Sequence, residues 1–138
     1  MKYIHKFRVR FSDTDAYGIV HHSSFYNYFE EARFQFSADC LGFSEDMANK
    51  SAVKFPIIES SCIYKNPLRF SLDYYIVELG FRKLETSKLE FNFTIKDKNQ
   101  KKRYAYGKTV HVIIDEQNKL CIDLPKWLDD KIKLLSNE

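Results

Sequence analysis

Two carboxylates and two imidazoles fall close together near the amino end, in the run Asp13-Thr14-Asp15-Ala16-Tyr17-Gly18-Ile19-Val20-His21-His22. A carboxylate can attack an acyl carbon directly, or it can deprotonate a water that does so. Asp also favours turns by accepting bonds from nearby amides, and Gly18 is free to take positive φ. Taken by themselves, Asp13 and Asp15 therefore read first as turn formers. The other candidates are more scattered. Cys40, Cys62 and Cys121 are an odd number without metal-ligand spacing, and each is expected to be a small buried hydrophobe. A cysteine nucleophile would need a paired His, and none is evident in the local sequence. His5 and His111 are read as ordinary strand residues, and Glu30 and Glu31 as exposed helical carboxylates, with Glu30 able to pair with Arg33. Arg82 and Lys83 could take phosphate groups, although charges near turns are usually only solvated.

The elements that must hold these residues follow from hydrophobic spacing. From about Tyr3 to Ser12, Phe7, Val9 and Phe11 alternate with Lys6, Arg8, Arg10 and Ser12, the period of a half-buried strand. The polar run from Asp13 to Gly18 ends that alternation and predicts a tight loop. From about Ser23 to Leu41 the period changes: Phe25, Phe29, Ala32 and Phe36 recur at helical spacing while Asn27, Glu30, Glu31, Arg33, Gln35 and Asp39 fall mostly elsewhere. Ser23 or Ser24 is the expected cap of this helix and Gly42 its stop. One short helical turn is expected between Phe43 and Ser51. Strands are then expected at about Val53 to Lys65, Leu72 to Gly80, Leu84 to Lys96 and Arg103 to Asp115. The third is the clearest, since Leu89, Phe91, Phe93 and Ile95 alternate with Lys88, Glu90, Asn92, Thr94 and Lys96. Pro125 followed by Trp127, Leu128, Ile132 and Leu135 predicts a short closing helix.

Strand, loop, helix and four strands make an α+β arrangement, an antiparallel sheet with its helix on one face. One helix leaves the sheet edges open, so a homodimer is expected that continues or stacks the sheet.

Composition narrows the function classes. The chain has 138 residues, one domain's worth, with 44% hydrophobic and 30% charged residues, so residues 1–138 are read as a single folded domain. The 22 basic residues are interleaved with 19 acidic ones for a net charge of only +3, which gives no field for nucleic acid. No apolar run is long enough to span a bilayer and the first residues lack the apolar core of a signal peptide, so a cytoplasmic location is expected. Twelve Phe and nine Tyr exceed ordinary use and point to a ring-filled core or a greasy pocket.

Asp13-Thr14-Asp15-Ala16-Tyr17-Gly18-Ile19-Val20-His21-His22, followed by Tyr26, Phe29, Glu31, Ala32 and Arg33, resembles the signature of the 4-hydroxybenzoyl-CoA thioesterase family, which includes the acyl-CoA thioesterases associated with the Tol-Pal system. That signature is D-T-D-x-x-G-x-V, then an aromatic or His, then a helix with E-x-A-R. The run Tyr64-Lys65-Asn66-Pro67-Leu68-Arg69 is similar to the family's Y-x-x-P-A-R, with Leu in place of Ala, and Phe11 stands where Tol-Pal relatives tend to carry Tyr. The resemblance implies a hotdog fold, a long central helix wrapped by a curved five-stranded antiparallel sheet. It implies a dimer or tetramer with the active site at the interface, and hydrolysis of an acyl-CoA or acyl-carrier-protein thioester. No cofactor or metal is implied, because coenzyme A belongs to the substrate. It assigns Asp15 as nucleophile or general base and the main-chain amide of His22 as the group that polarises the carbonyl. Tyr17, Gly18 and Val20, with Arg82 and Lys83, become candidates for substrate contact. The physical logic agrees: the first amides of a helix are unpaired and sit at its positive end, so a carbonyl oxygen placed there meets donors where negative charge develops. A subgroup that puts its carboxylate on the central helix would use Glu30 or Glu31 instead, and a noncatalytic acyl-binding protein would keep the fold without turnover.

Overall fold

The structure, a computed structural model, describes residues 2–42, 54–85 and 87–136. Its elements are β1 (Lys2–Phe7), a 3-10 turn (Phe11–Asp13), α1 (His22–Cys40), β2 (Ile57–Tyr64), β3 (Tyr75–Glu85), β4 (Lys88–Asp97), β5 (Arg103–Val112) and α2 (Lys126–Ser136). The strands form one antiparallel sheet in the order β1-β3-β4-β5-β2. The α+β arrangement expected from the element order, and the hotdog fold that the resemblance implies, are the ones observed, with the expected closing helix as α2 at the carboxyl end.

Rows of the sheet explain the core. Tyr3, Leu79, Phe93, Gly107 and Cys62 stand opposite one another across the five strands, and they share the face that α1 covers. Helix α1 turns Phe25, Tyr28, Phe29, Ala32 and Phe36 onto that face, and all are buried. Phe29 stacks on Phe93 at 4.7 Å. It can do so because the strand beneath it carries Gly107, where a Cβ would stand 2.2 Å from the ring. The alternate residues of β3 and β4 face outward, and the charged ones among them are paired. Lys96 bonds Glu78 at 2.8 Å, and Glu90 accepts from Arg82 and from Asn92. The strict alternation of β4 is the imprint of these two faces.

Several expected boundaries move. The first strand ends at Phe7, and the chain turns through Phe11–Asp13, so Phe11 is 76% exposed and does not continue the inward row. The helix starts at His22, and its cap is His21, whose Nδ1 accepts from the Ser23 amide at 3.3 Å. Gly42 does follow the helix end, at φ +74°. Strand β3 runs on to Glu85, which places Arg82 and Lys83 inside a strand and not at a connection. The three cysteines are half-buried, not buried. The helical turn expected within 43–51 lies outside the described residues. The closing helix forms after Pro125, whose carbonyl accepts from the amides of Leu128 and Asp129, and Leu128 and Ile132 enter the core.

Candidate active site

The segment between the 3-10 turn and α1 is a small hairpin. Asp15 and Ile19 are joined by the Asp15 amide at 2.8 Å, Thr14 bridges Val20, and the Gly18 amide closes on the Asp15 carbonyl at 3.0 Å. Gly18 takes φ +73°, the left-handed position that a three-residue hairpin loop requires and that glycine occupies without strain. The Asp15 side chain completes the turn: its Oδ1 accepts from the amides of Tyr17 at 2.8 Å and Ile19 at 3.3 Å. Among the described residues no donor bonds its Oδ2. The turn-forming role and a chemical role are thus compatible, because one oxygen fixes the carboxylate and the other stays available.

This hairpin is tied to the chain beyond β2. The Val20 amide donates to the Leu68 carbonyl at 2.8 Å, and Ile19 bridges Arg69. Between the two segments lies a cavity of about 410 Å³, lined by Asp15, Ile19, Val20, His22 and Phe25 on one side and by Tyr64 through Leu68 on the other. Phe25 and Tyr64 meet edge to face at 4.9 Å. The Tyr64 hydroxyl lies 3.4 Å from the His22 carbonyl, and partial burial pushes its pKa up to about 12, so it stays protonated at neutral pH. His22 is the first residue of α1, and among the described residues its amide has no acceptor within the chain. Its ring is exposed and lies against that of His21 at 4.2 Å.

Of the residues singled out from sequence, Asp15, Val20 and His22 come together at this cavity. Tyr17 and Gly18 shape the hairpin without lining it, and the Tyr17 side chain is 81% exposed. Arg82 and Lys83 stand apart from it on β3, ion-paired with Glu90 and Asp129 respectively. Glu30 and Glu31 are exposed and do not line it, whereas His111 is buried between Phe55 and Thr109, to which its two ring nitrogens are bonded. Sequence reasoning missed Phe25, Lys65 and Asn66 as wall residues. The signal was present in the Tyr64 to Leu68 run, but nothing local says that this run faces the Asp15 hairpin.

Comparison with known proteins bears on what the cavity does. The profile of the thioesterase-like superfamily matches residues 9–132, which takes in the hairpin, α1 and all of β2 to β5. The chain belongs to that superfamily. A proposed esterase of Aquifex aeolicus (strain VF5) is 32% identical over 133 residues, covering 96% of this chain and 99% of that one. A 1,4-dihydroxy-2-naphthoyl-CoA hydrolase of Prochlorococcus marinus subsp. pastoris is 26% identical over 131 residues, covering 90% and 84%. Among solved structures, a gentisyl-coenzyme A thioesterase superposes with a TM-score of 0.78 at 28% identity, covering 92% of this chain and 99% of that one. This thioesterase-like chain is a thioester hydrolase. Among its described residues, no helix is long and apolar enough to cross a membrane.

Proposed function

We propose that the protein hydrolyses acyl-coenzyme A, with Asp15 as the carboxylate that drives the reaction and the His22 amide as the donor to the thioester carbonyl. One observation carries the reading: Asp15 and His22 line the same cavity, the first with a carboxylate oxygen and the second with a helix N-terminal amide that are both uncommitted among the described residues. A thioester carbonyl oxygen seated on that amide would meet a donor and a positive dipole end as it gains charge. Asp15 either attacks the carbonyl carbon, expelling coenzyme A thiolate and leaving a mixed anhydride for water to open, or takes a proton from the attacking water. The thiol leaving group, with a reference pKa of about 8.5, needs no strong acid to depart. The carboxylate and the amide suffice for the reaction, and coenzyme A enters as part of the substrate.

The acyl group is best sought among hydroxylated aromatic acids. Phe25, Tyr64, Pro67 and Leu68 offer an apolar wall, and Lys65 and Asn66 put polar groups on the same cavity. Two of the relatives carry the names of enzymes for such acyl groups, 1,4-dihydroxy-2-naphthoyl and gentisyl. Within the superfamily, the run from Asp13 to His22 favours the 4-hydroxybenzoyl-CoA type over one with its carboxylate on the helix. We place the working unit at a homodimer. Strand β2 is a sheet edge on which Ile57, Ile58, Ile63 and Tyr64 are all about half exposed, and an unpaired edge of that kind calls for a partner strand. Tyr64 also lines the cavity, so a partner on β2 would bring the site to the interface. A cytoplasmic location goes with a coenzyme A substrate.

A panel of aromatic, short and long acyl-CoAs, run beside acyl-carrier-protein thioesters, tests this. Steady hydrolysis of an aromatic acyl-CoA that disappears in Asp15→Asn is the expected result. Turnover confined to the carrier protein would move the reading to that substrate, and tight acyl-CoA binding without turnover would replace it with an acyl-binding role.

A further inference from the structure

Asp13, which the turn alone would explain, is built into the molecule more deeply than a turn needs. It is buried, and its Oδ2 accepts the Tyr28 hydroxyl at 2.7 Å and the Arg10 amide at 3.1 Å, with the Arg10 guanidinium Nε at 3.5 Å. Its carbonyl accepts the His21 amide at 2.8 Å. The two ends of the site hairpin are therefore joined at one residue, whose side chain is pinned to a helix residue beyond the first turn. Tyr28 is itself gripped: it is 1% exposed, stacked on Phe7 at 4.4 Å and set edge-on to Phe25 at 6.3 Å. Burial, with the Asp13 carboxylate next, raises the Tyr28 pKa, so its hydroxyl remains a donor across the working range.

From this we infer that Asp13 is a positioning residue, and that the Asp13–Tyr28 bond sets the Asp15 carboxylate at its working distance from the first amide of α1. The inference rests on the thioester-hydrolase reading of the cavity. Asp15 lies two residues beyond Asp13, and His22 directly follows the residue whose amide Asp13 holds. Both reacting groups thus hang from the same anchor. The Val20 amide on the Leu68 carbonyl and the Ile19–Arg69 bridge tie the hairpin to the chain beyond β2, and its internal bonds fix its shape, but these leave it free to shift against the packed part of the helix. The Tyr28 bond removes that freedom, since it reaches past the hinge into the packed part of α1. The role needs an acceptor at Oδ2 and not a charge as such, for all three donors converge on that one oxygen. Asparagine, with its amide oxygen turned to that point, would serve.

The test uses the full chain and the best aromatic acyl-CoA of the panel, with kcat, KM and thermal midpoint measured for Tyr28→Phe, Asp13→Ala, the double variant and Asp13→Asn. A reacting group displaced by about 1 Å can lose about 100-fold in rate. Expected are losses in kcat of about 10- to 100-fold in Tyr28→Phe and Asp13→Ala with KM little changed, and a double variant no worse than the poorer single one. Asp13→Asn should recover most of the rate. A fall in thermal midpoint with kcat per folded molecule unchanged, additive losses, or an Asp13→Asn as slow as Asp13→Ala would each overturn the inference. Should Asp13→Ala not fold, Tyr28→Phe carries the test, because it removes one hydroxyl and keeps the ring. Backbone amide resonances give a readout that does not depend on turnover: those of Asp15 and His22 should shift in Tyr28→Phe. If the wild-type protein hydrolyses no thioester, the functional reading fails while these shifts still decide the positioning role. If it does hydrolyse one and the shifts and kcat losses are absent, the positioning role alone fails.

Discussion

The middle of α1 and the hairpin before it are held by different forces. Over Gly107 and Phe93, Phe29 is fixed by contact alone, ring on ring and ring on bare backbone, with Phe36 continuing the row toward Phe81 and Phe91. From Arg10 to His21 the molecule contains few buried apolar side chains, and its shape is set by directed bonds from amides to Asp13, Asp15 and Ile19. Packing tolerates small displacements of any one atom provided the volume is filled, whereas a hydrogen bond specifies where an oxygen sits. On the proposed function, the contrast teaches why the carboxylate assigned the chemistry belongs to the second region while the stability that anchors it comes from the first.

Breaking each region should therefore damage a different property. Asp15→Asn keeps the Oδ1 acceptor for the Tyr17 and Ile19 amides, and it should leave the thermal midpoint nearly unchanged while kcat falls by about 100- to 10,000-fold, measured as release of free coenzyme A thiol. Gly107→Ala should show the opposite pattern. The added methyl would collide with the Phe29 ring, and over-packing of this kind costs about 1–3 kcal/mol, read as a lower urea midpoint, with kcat of the remaining folded protein close to wild type.

Gly18→Ala sharpens the comparison, because it enters the hydrogen-bonded region without a clash. Nothing lies within 4 Å of the new Cβ, so the cost is that of the left-handed backbone, about 1 kcal/mol, and it should appear as a modest loss of both stability and kcat. A pH series probes the packed side. His111 is buried with both ring nitrogens bonded, and burial chiefly holds its pKa below the ordinary histidine value, as it does for half-buried His5. The unfolded chain takes up these protons near pH 6.5, and the folded chain resists them, so stability is full above about 6.5 and declines as the pH falls below it. Urea midpoints between pH 7.5 and 5.5 should record that decline, and His111→Gln should flatten it. The smallest effect on catalysis is expected from Arg82→Ala, which removes the exposed partner of the buried Glu90 carboxylate away from the cavity; the KM for acyl-CoA should hardly move.

How much of this was legible in the chain varied from element to element. Strand β4 could be read residue by residue, since each side chain faces either the helix or the outer ion pairs and the sequence alternates accordingly. The first strand ends at Phe7 with Val9 still buried beyond it: Phe11 has the right parity for an inward residue, but Asp13 captures the Arg10 amide and bends the chain before Phe11 can join the row. The end of β3 was misplaced because Arg82 and Lys83 look like turn residues, whereas across the strands they stand opposite Glu90 and Leu89. Asp15 was singled out through its motif, and it lines the cavity. Tyr64 to Leu68 was legible as a motif but not as a cavity wall, because that role depends on the Val20–Leu68 bond.

By itself, then, the order of residues determined most of which segments would be helix or strand and which face of each would be buried, because periodicity and turn chemistry act over a few neighbouring residues; Asp15 was singled out by the resemblance of its motif. Only the tertiary structure decided that β2 lies at the sheet edge beside β5, that position 107 must be bare for Phe29 to descend, and that Tyr28 holds Asp13. Those facts join residues far apart in the chain. They are set by the one strand order and register in which the whole core closes, a condition that no local stretch of sequence carries.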